Sequence, residues 1–310
     1  MPTANMPASS DDENPVEETT NVIPAFSGVV HPRRDQSIGA VLVDAGRLKL
    51  EDAERILQLQ GEKGLRFGDA GKELGILTDA DIAFALSRQF DYPYLHPGKS
   101  KISQSVVAAY HPLQPKMEAL RALRSQLMIR WFDNEPARRS LAVVSAARGE
   151  GRSFIAANLA VVFSQLGERT LLIDADLRNP VQHALFAVDN RVGLSACLSG
   201  RGGPDAVMPI PGLRNLFLLP SGTVPPNPQE LLARRIFLEL LQNLANQFDV
   251  ILLDSPPAAQ TADAQIIAVR AGAAMIVTRK NATRSWRVQG VSDKVLEAKA
   301  SIVGAVLNDF

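Results

Sequence analysis

Residues 141 to 158, L-A-V-V-S-A-A-R-G-E-G-R-S-F-I-A-A-N, place an apolar strand, a glycine-bearing turn and a hydroxyl residue at the spacing that cradles phosphate. In such a loop glycines let backbone N–H groups close around phosphate oxygens, a Lys offsets the β/γ charge, and a Ser or Thr hydroxyl meets Mg²⁺. Here the run ends Gly151-Arg152-Ser153, and Ala146 stands where a glycine is usual. Arginine keeps the positive charge but carries it on a wide planar fork, so phosphate binding survives the exchange more readily than turnover. The expected nucleotide contacts are Arg148, Gly149, Glu150, Gly151, Arg152, Ser153 and Phe154. The bland alternative is a structural strand-turn-helix.

Two further acidic strand ends fit the same chemistry. The run T-L-L-I-D-A-D-L-R-N-P closes with Asp174 and Asp176, and the two-residue strand period directs both carboxylates to one side. Such a pair suits Mg²⁺ and proton handling, because two acids closing an apolar strand repel each other without a cation. A helix cap plus a surface acid is the competing reading. In F-D-V-I-L-L-D-S-P-P, Asp254 closes another apolar strand, where phosphate-loop enzymes keep the acid that holds Mg²⁺, often through water. Loop, double-Asp strand and Asp-Ser-Pro-Pro strand, in this order, point to a nucleotidase core.

The elements that must position these residues alternate. Apolar runs predict strands at 141–145, 170–174, 215–219, 249–254, 273–278 and 301–307; helical spacing predicts helices at 152–166, 228–246, 262–271 and 285–299. The pattern is that of an α/β fold with a doubly wound, mostly parallel sheet, whose ligands sit beyond the carboxyl ends of the strands.

A chain of 310 residues has room for that domain and a smaller one. Lys plus Arg and Asp plus Glu number 33 each, so no bulk field draws the chain to nucleic acid or anionic lipid. The single Cys197 can form no intramolecular disulfide, and His31, His96, His111 and His183 lack ligand-like spacing. No apolar run reaches the length of a membrane span and no signal-peptide pattern is present, which predicts a cytoplasmic location.

Residues 1–35, rich in Pro, Ser, Thr, Asp and Glu, read as a disordered tail. A small all-α domain is expected over 36–96, because residues 37–60 align without gaps on 66–89, matching Gly39 with Gly68, Gly46 with Gly75, Leu48 with Leu77, Asp52 with Asp81 and Gln60 with Gln89. Each copy reads as a helix ended by glycine and a second helix with an acidic first turn. The repeat resembles the N-terminal domain of type II secretion and pilus ATPases, some of which bind cyclic di-GMP through tandem copies of such a motif. That motif opens with Arg, present at Arg66 but replaced by Ser37 in the first copy. A docking module and a cyclic di-GMP site are the two readings. Residues 97–115, with prolines at both ends, read as a linker, and the second domain is expected to span 116–310.

Across 116–310 the sequence resembles the bacterial tyrosine autokinases of capsule and exopolysaccharide biosynthesis, relatives of the MinD and ParA ATPases. Besides the three motifs, the resemblance rests on L-P-S-G-T-V-P-P-N-P-Q-E-L-L at 219–232 and on Glu118, Arg121 and Arg124, which fit the family's E-x-x-R-x-x-R assembly helix. The arrangement of the two domains is similar to that of the stand-alone, EpsG-like chain-length-determinant kinases. The resemblance implies ATP and Mg²⁺ as cofactors, Ser153, Asp176 and Asp254 at the metal, Arg152 at phosphate, and Asp174 as the base that activates a tyrosine hydroxyl, with Asp176 beside it in catalysis. It also implies an ATP-dependent homo-oligomer and a membrane chain-length-determinant (Wzz-like) partner that recruits the protein to the inner face of the plasma membrane. The family's C-terminal tyrosine cluster has no counterpart before the final V-L-N-D-F. Tyr92, Tyr94 and Tyr110 precede the core, so tail-to-neighbour autophosphorylation is not expected; Tyr92 and Tyr94 read as packing residues or as substitute acceptors. The alternatives are a MinD-like ATP switch without tyrosine kinase activity and a cyclic di-GMP receptor.

Overall fold

The computed structural model describes residues 37–310 apart from 90–92, 96, 97, 113, 136 and 310. The expected tail, together with Tyr92, His31 and His96, lies outside the described residues. The repeat folds as two helical pairs, α1 (Ile38–Asp44) with α2 (Leu50–Lys63) and α3 (Phe67–Glu73) with α4 (Asp79–Gln89). Gly46 and Gly75 both take positive φ (66° and 69°) just past the first helix of each copy, a conformation that costs glycine little. The matched Gly39 and Gly68 have another reason: a Cβ there would lie 2.9 Å from the Phe67 ring and 3.0 Å from Ile82. Leu42, Ile56, Ala70, Leu77 and Ala85 form the apolar core of the repeat. Ser37 caps α1, its Oγ accepting from the Ala40 N–H at 3.3 Å, whereas Arg66 at the equivalent position makes no side-chain cap.

The segment read as a linker is instead part of the main core. Helix α5 (Val107–Tyr110) packs on the helix at 152–166, with Val106 and Ala109 fully buried. The Asn158 Oδ1 accepts from the Ala108 N–H at 2.9 Å, and the Tyr110 hydroxyl donates to the Ile102 carbonyl. Two flanking prolines gave the stretch a loop-like sequence, but its alanines and valine are small enough to lie flat on a helix. Helix α6 (Pro115–Leu127) follows, continued by a π-helical turn at Met128–Phe132.

The second region alternates as its apolar runs require: β1 (Ser140–Ser145), α7 (Arg152–Leu166), β2 (Thr170–Asp174), α8 (Gln182–Phe186), α9 (Leu194–Leu198), β3 (Met208–Pro209), β4 (Leu216–Leu219), α10 (Pro228–Ala233), α11 (Arg235–Ala245), β5 (Val250–Asp254), α12 (Asp263–Ala271), β6 (Ala273–Arg279), α13 (Ser285–Glu297) and β7 (Ser301–Asn308). Among the described residues these strands form a seven-stranded sheet in the order β3-β4-β2-β5-β1-β6-β7. All neighbours are parallel except β3 with β4. β1, β2 and β5 are buried along their whole length, as strands covered on both faces must be. One apolar layer, with α7 at its centre, covers one face; a second, built from α11, α12 and α13, covers the other.

The predicted helix 228–246 is broken at Arg234, whose ψ of 149° is extended. In one continuous helix Leu232 and Phe237, five residues apart, would point about 140° away from each other. The break lets both reach the core, where each is fully buried.

Candidate active site

The β1–α7 loop is shaped by its own side chains. Gly149 and Gly151 take φ values of 78° and 85° with no crowding around Gly149, so backbone conformation rather than space demands glycine there. Glu150 is buried: its Oε2 accepts from the Ala147 N–H at 2.8 Å, its Oε1 from the Thr283 hydroxyl at 2.5 Å, and its carbonyl from the Asn308 amide at 3.3 Å. The residue therefore ties the loop to the ends of β6 and β7. Arg148 and Gly149 remain exposed. The loop residues 148–154, with Asp176 and Asn179 opposite, line a cleft of about 230 Å³ at the N-terminus of α7, where unpaired N–H groups and the helix dipole favour an anion.

Sheet register brings the acids together. Asp174 on β2 is paired directly with Asp254 on β5, and β5 lies beside β1, so the loop and both acids share one carboxyl edge. Asp174 is wholly buried; its Oδ2 accepts from the N–H groups of Val181 (3.0 Å) and Gln182 (2.9 Å) at the start of α8, while Oδ1 has no partner among the described residues. Burial, and then the charge of Asp254 alongside, push the Asp174 carboxyl well above the usual carboxylate range. Asp176 lines the cleft, and its Oδ1 caps the following turn, accepting from the N–H groups of Arg178 (3.2 Å) and Asn179 (2.9 Å).

Arg152 turns inward. Its Nε donates to Asp254 Oδ1 at 3.0 Å, its Nη1 to the Ser145 hydroxyl at 3.0 Å, and its Nη2 to Asp176 Oδ2 at 3.4 Å, with the side chain 9% exposed. Gln182, which sequence reasoning passed over, donates one amide hydrogen to Asp254 Oδ2 at 2.7 Å and the other to the Ser153 carbonyl at 3.0 Å. Gln182 opens α8 in the run V-Q-H-A-L-F, and nothing in that run marks it for the site. Just outside, Arg178 grips the buried Asp263 through Nε (2.7 Å) and Nη2 (3.3 Å).

A divalent cation does not fit these residues as they stand. The carboxylates expected to receive it with Ser153 are those of Asp176 and Asp254; every one of their four oxygens already accepts from an N–H donor, and one oxygen of each accepts from the buried Arg152 guanidinium, whose charge opposes a second cation there. Among the described residues no group of three or more His, Cys, Asp or Glu side chains is arranged to hold a metal.

The residues expected to meet a neighbouring subunit divide. Glu118 is exposed and accepts from Arg121, but Arg121 also donates to the Pro112 carbonyl and Arg124 to the Val162 carbonyl at 3.3 Å, so both arginines fold back onto their own chain. Tyr110 is a core residue and Tyr94 is half-buried, its hydroxyl pKa raised chiefly by that burial. No described helix is long and apolar enough to cross a membrane.

Known proteins resemble this chain in sequence and in fold. The family described as ParA: NUBPL iron-transfer P-loop NTPase matches residues 137–309. Tyrosine-protein kinase YwqD of Bacillus subtilis is 34% identical over 209 residues, covering 67% of this chain and 87% of that protein. Putative tyrosine-protein kinase EpsB of Ralstonia solanacearum is also 34% identical over 209 residues, but this chain spans only 28% of its length. Among solved structures, the kinase domain of Escherichia coli tyrosine kinase ETK superposes with a TM-score of 0.64 at 29% identity, covering 71% of this chain and 85% of that one.

Proposed function

Since this chain belongs to the ParA-type P-loop NTPases and, within them, to the bacterial tyrosine-protein kinases, we propose that it binds ATP in the cleft at 148–154 and acts in exopolysaccharide chain-length control or export with a membrane chain-length partner. The observation that carries this reading is the juxtaposition, at one sheet edge, of an anion-accepting helix terminus with two register-paired acids, Asp174 and Asp254. In it, backbone N–H groups of the loop and Arg148 hold phosphates, while Asp174, its carboxyl made more basic by burial and by the charge of Asp254, serves in its ionised form as proton acceptor. Recruitment to the membrane comes from the partner, the repeat at 37–89 serves as a docking module, and Glu118 is the exposed member of the assembly helix.

One observation favours a second reading, an ATP switch that does not phosphorylate tyrosine. Asp174 is buried, is not among the residues lining the cleft, and accepts from the α8 backbone, which shields it from a bulky tyrosine side chain more than from water.

Incubating the full chain with γ-labelled ATP, with and without the partner's cytoplasmic segment, separates the two. Label retained on tyrosine supports the kinase; free phosphate alone supports the switch; no nucleotide binding at about 1 mM in calorimetry overturns both. Asp174→Asn keeps an acceptor for both N–H groups, so it should fold, yet turnover should drop about 100-fold or more. Its stability profile should change as well. A carboxyl whose folded pKa is raised stabilises the fold while protonated and loses that contribution as pH climbs from the ordinary value of 3.8 through the folded one. Wild-type stability should therefore decline with pH over that window, and the Asn variant's should stay flatter.

A further inference from the structure

Arginine at the position where phosphate loops carry lysine has a use that the cleft makes visible. Three of its nitrogens are spent on three different partners, Asp254, Asp176 and Ser145, and the guanidinium thereby bridges the two carboxylates that a divalent cation would otherwise join. A lysine ammonium is a compact point charge and lacks the planar fork that spans both acids at once. Gln182 holds the other oxygen of Asp254 and is itself anchored on the Ser153 carbonyl, while the other oxygen of Asp176 caps a turn. Mg²⁺ demands close octahedral oxygen ligands. To gain them here it would have to displace two sets of N–H donors and settle against a positive charge that is almost wholly buried.

We propose that Arg152 is the resident cation of this site: it takes the place of a divalent metal at Asp176 and Asp254, and the chain binds a nucleoside di- or triphosphate with no metal on those carboxylates. The phosphates are then met by the N–H groups at the start of α7 and by the exposed Arg148 on the rim of the cleft. The inference rests on the nucleotide reading above.

Calorimetry with ADP on the full chain, first in excess EDTA and then in excess Mg²⁺, tests it, with Mn²⁺ paramagnetic resonance as a second readout. The wild-type dissociation constant should change by less than about threefold between the two conditions, and the protein–ADP mixture should immobilise no more Mn²⁺ than ADP alone. Arg152→Lys, which retains the charge but not the fork, should become metal-dependent by about tenfold or more and should immobilise Mn²⁺. A wild-type loss of threefold or more in EDTA, or Mn²⁺ bound to the wild-type complex, overturns the proposal. Metal independence in both proteins removes Arg152 as its cause and overturns the assignment too. Absence of ADP binding in either condition has a different meaning: it defeats the nucleotide reading, and the inference falls with it. Should the Lys variant not fold, the two wild-type measurements decide the matter alone.

Discussion

The helical repeat and the phosphate-loop site draw on the same charged side chains and use them in opposite ways. In the repeat, Arg55–Asp52, Lys63–Glu73 and Lys72–Asp79 lie at the surface, with water and salt around them; pairs of that kind contribute little, and the apolar cluster around Leu42, Ile56 and Leu77 does the holding. At the site, Arg152 and Asp254 are 9% and 0% exposed, so each is the other's substitute for solvent. A buried pair adds little stability relative to an apolar pair of the same shape, but losing one member strands a charge. The lesson is that charge sets the tolerance of the site to mutation, whereas shape sets that of the repeat.

Three substitutions probe this contrast. Arg152→Met should be the most damaging, destabilising the chain by about 3–5 kcal/mol in urea unfolding because Asp254 and Asp176 lose their shared counter-charge; a loss as small as that of a surface pair would mean that water reaches these acids freely. Gly71→Ala tests shape. Its Cβ would fall 2.5 Å from Leu77 Cδ1 and 3.1 Å from Leu77 Cβ, too close for a rotamer change alone to relieve. Thermal denaturation should register a loss of about 1–3 kcal/mol, and no loss would show the repeat to be looser than its packing implies. Lys63→Ala should be the mildest, about 0.5 kcal/mol or less and vanishing in high salt. A larger, salt-resistant effect would place that pair with the buried kind and erase the contrast.

Much of the frame was legible beforehand because the patterns that encode it are local. Continuous apolar runs such as V-I-L-L-D predict strands buried on both faces, and the loop glycines place the start of α7 at Arg152, where the helix begins. The repeat showed itself through Gly46 and Gly75, since a positive φ after a helix selects glycine from the backbone alone. The interior of residues 102–110 was harder to read. Flanking prolines argued for a linker, and only the Asn158 and α7 surface facing that segment explains why Val106 and Ala109 are buried.

The sequence by itself determined the phosphate loop, the parallel α/β order and the three acids at strand ends, because each depends on residues close along the chain. The tertiary structure alone decided what those groups touch. Arg152 and Asp254 lie 102 residues apart and Gln182 and Asp254 lie 72 apart, and their meeting depends on which strands are neighbours and in which register Asp174 pairs with Asp254. The positive charge could be read from one residue, but the direction in which a buried guanidinium turns, toward phosphate or toward carboxylate, follows from the low-dielectric surroundings that strands distant in sequence build around it.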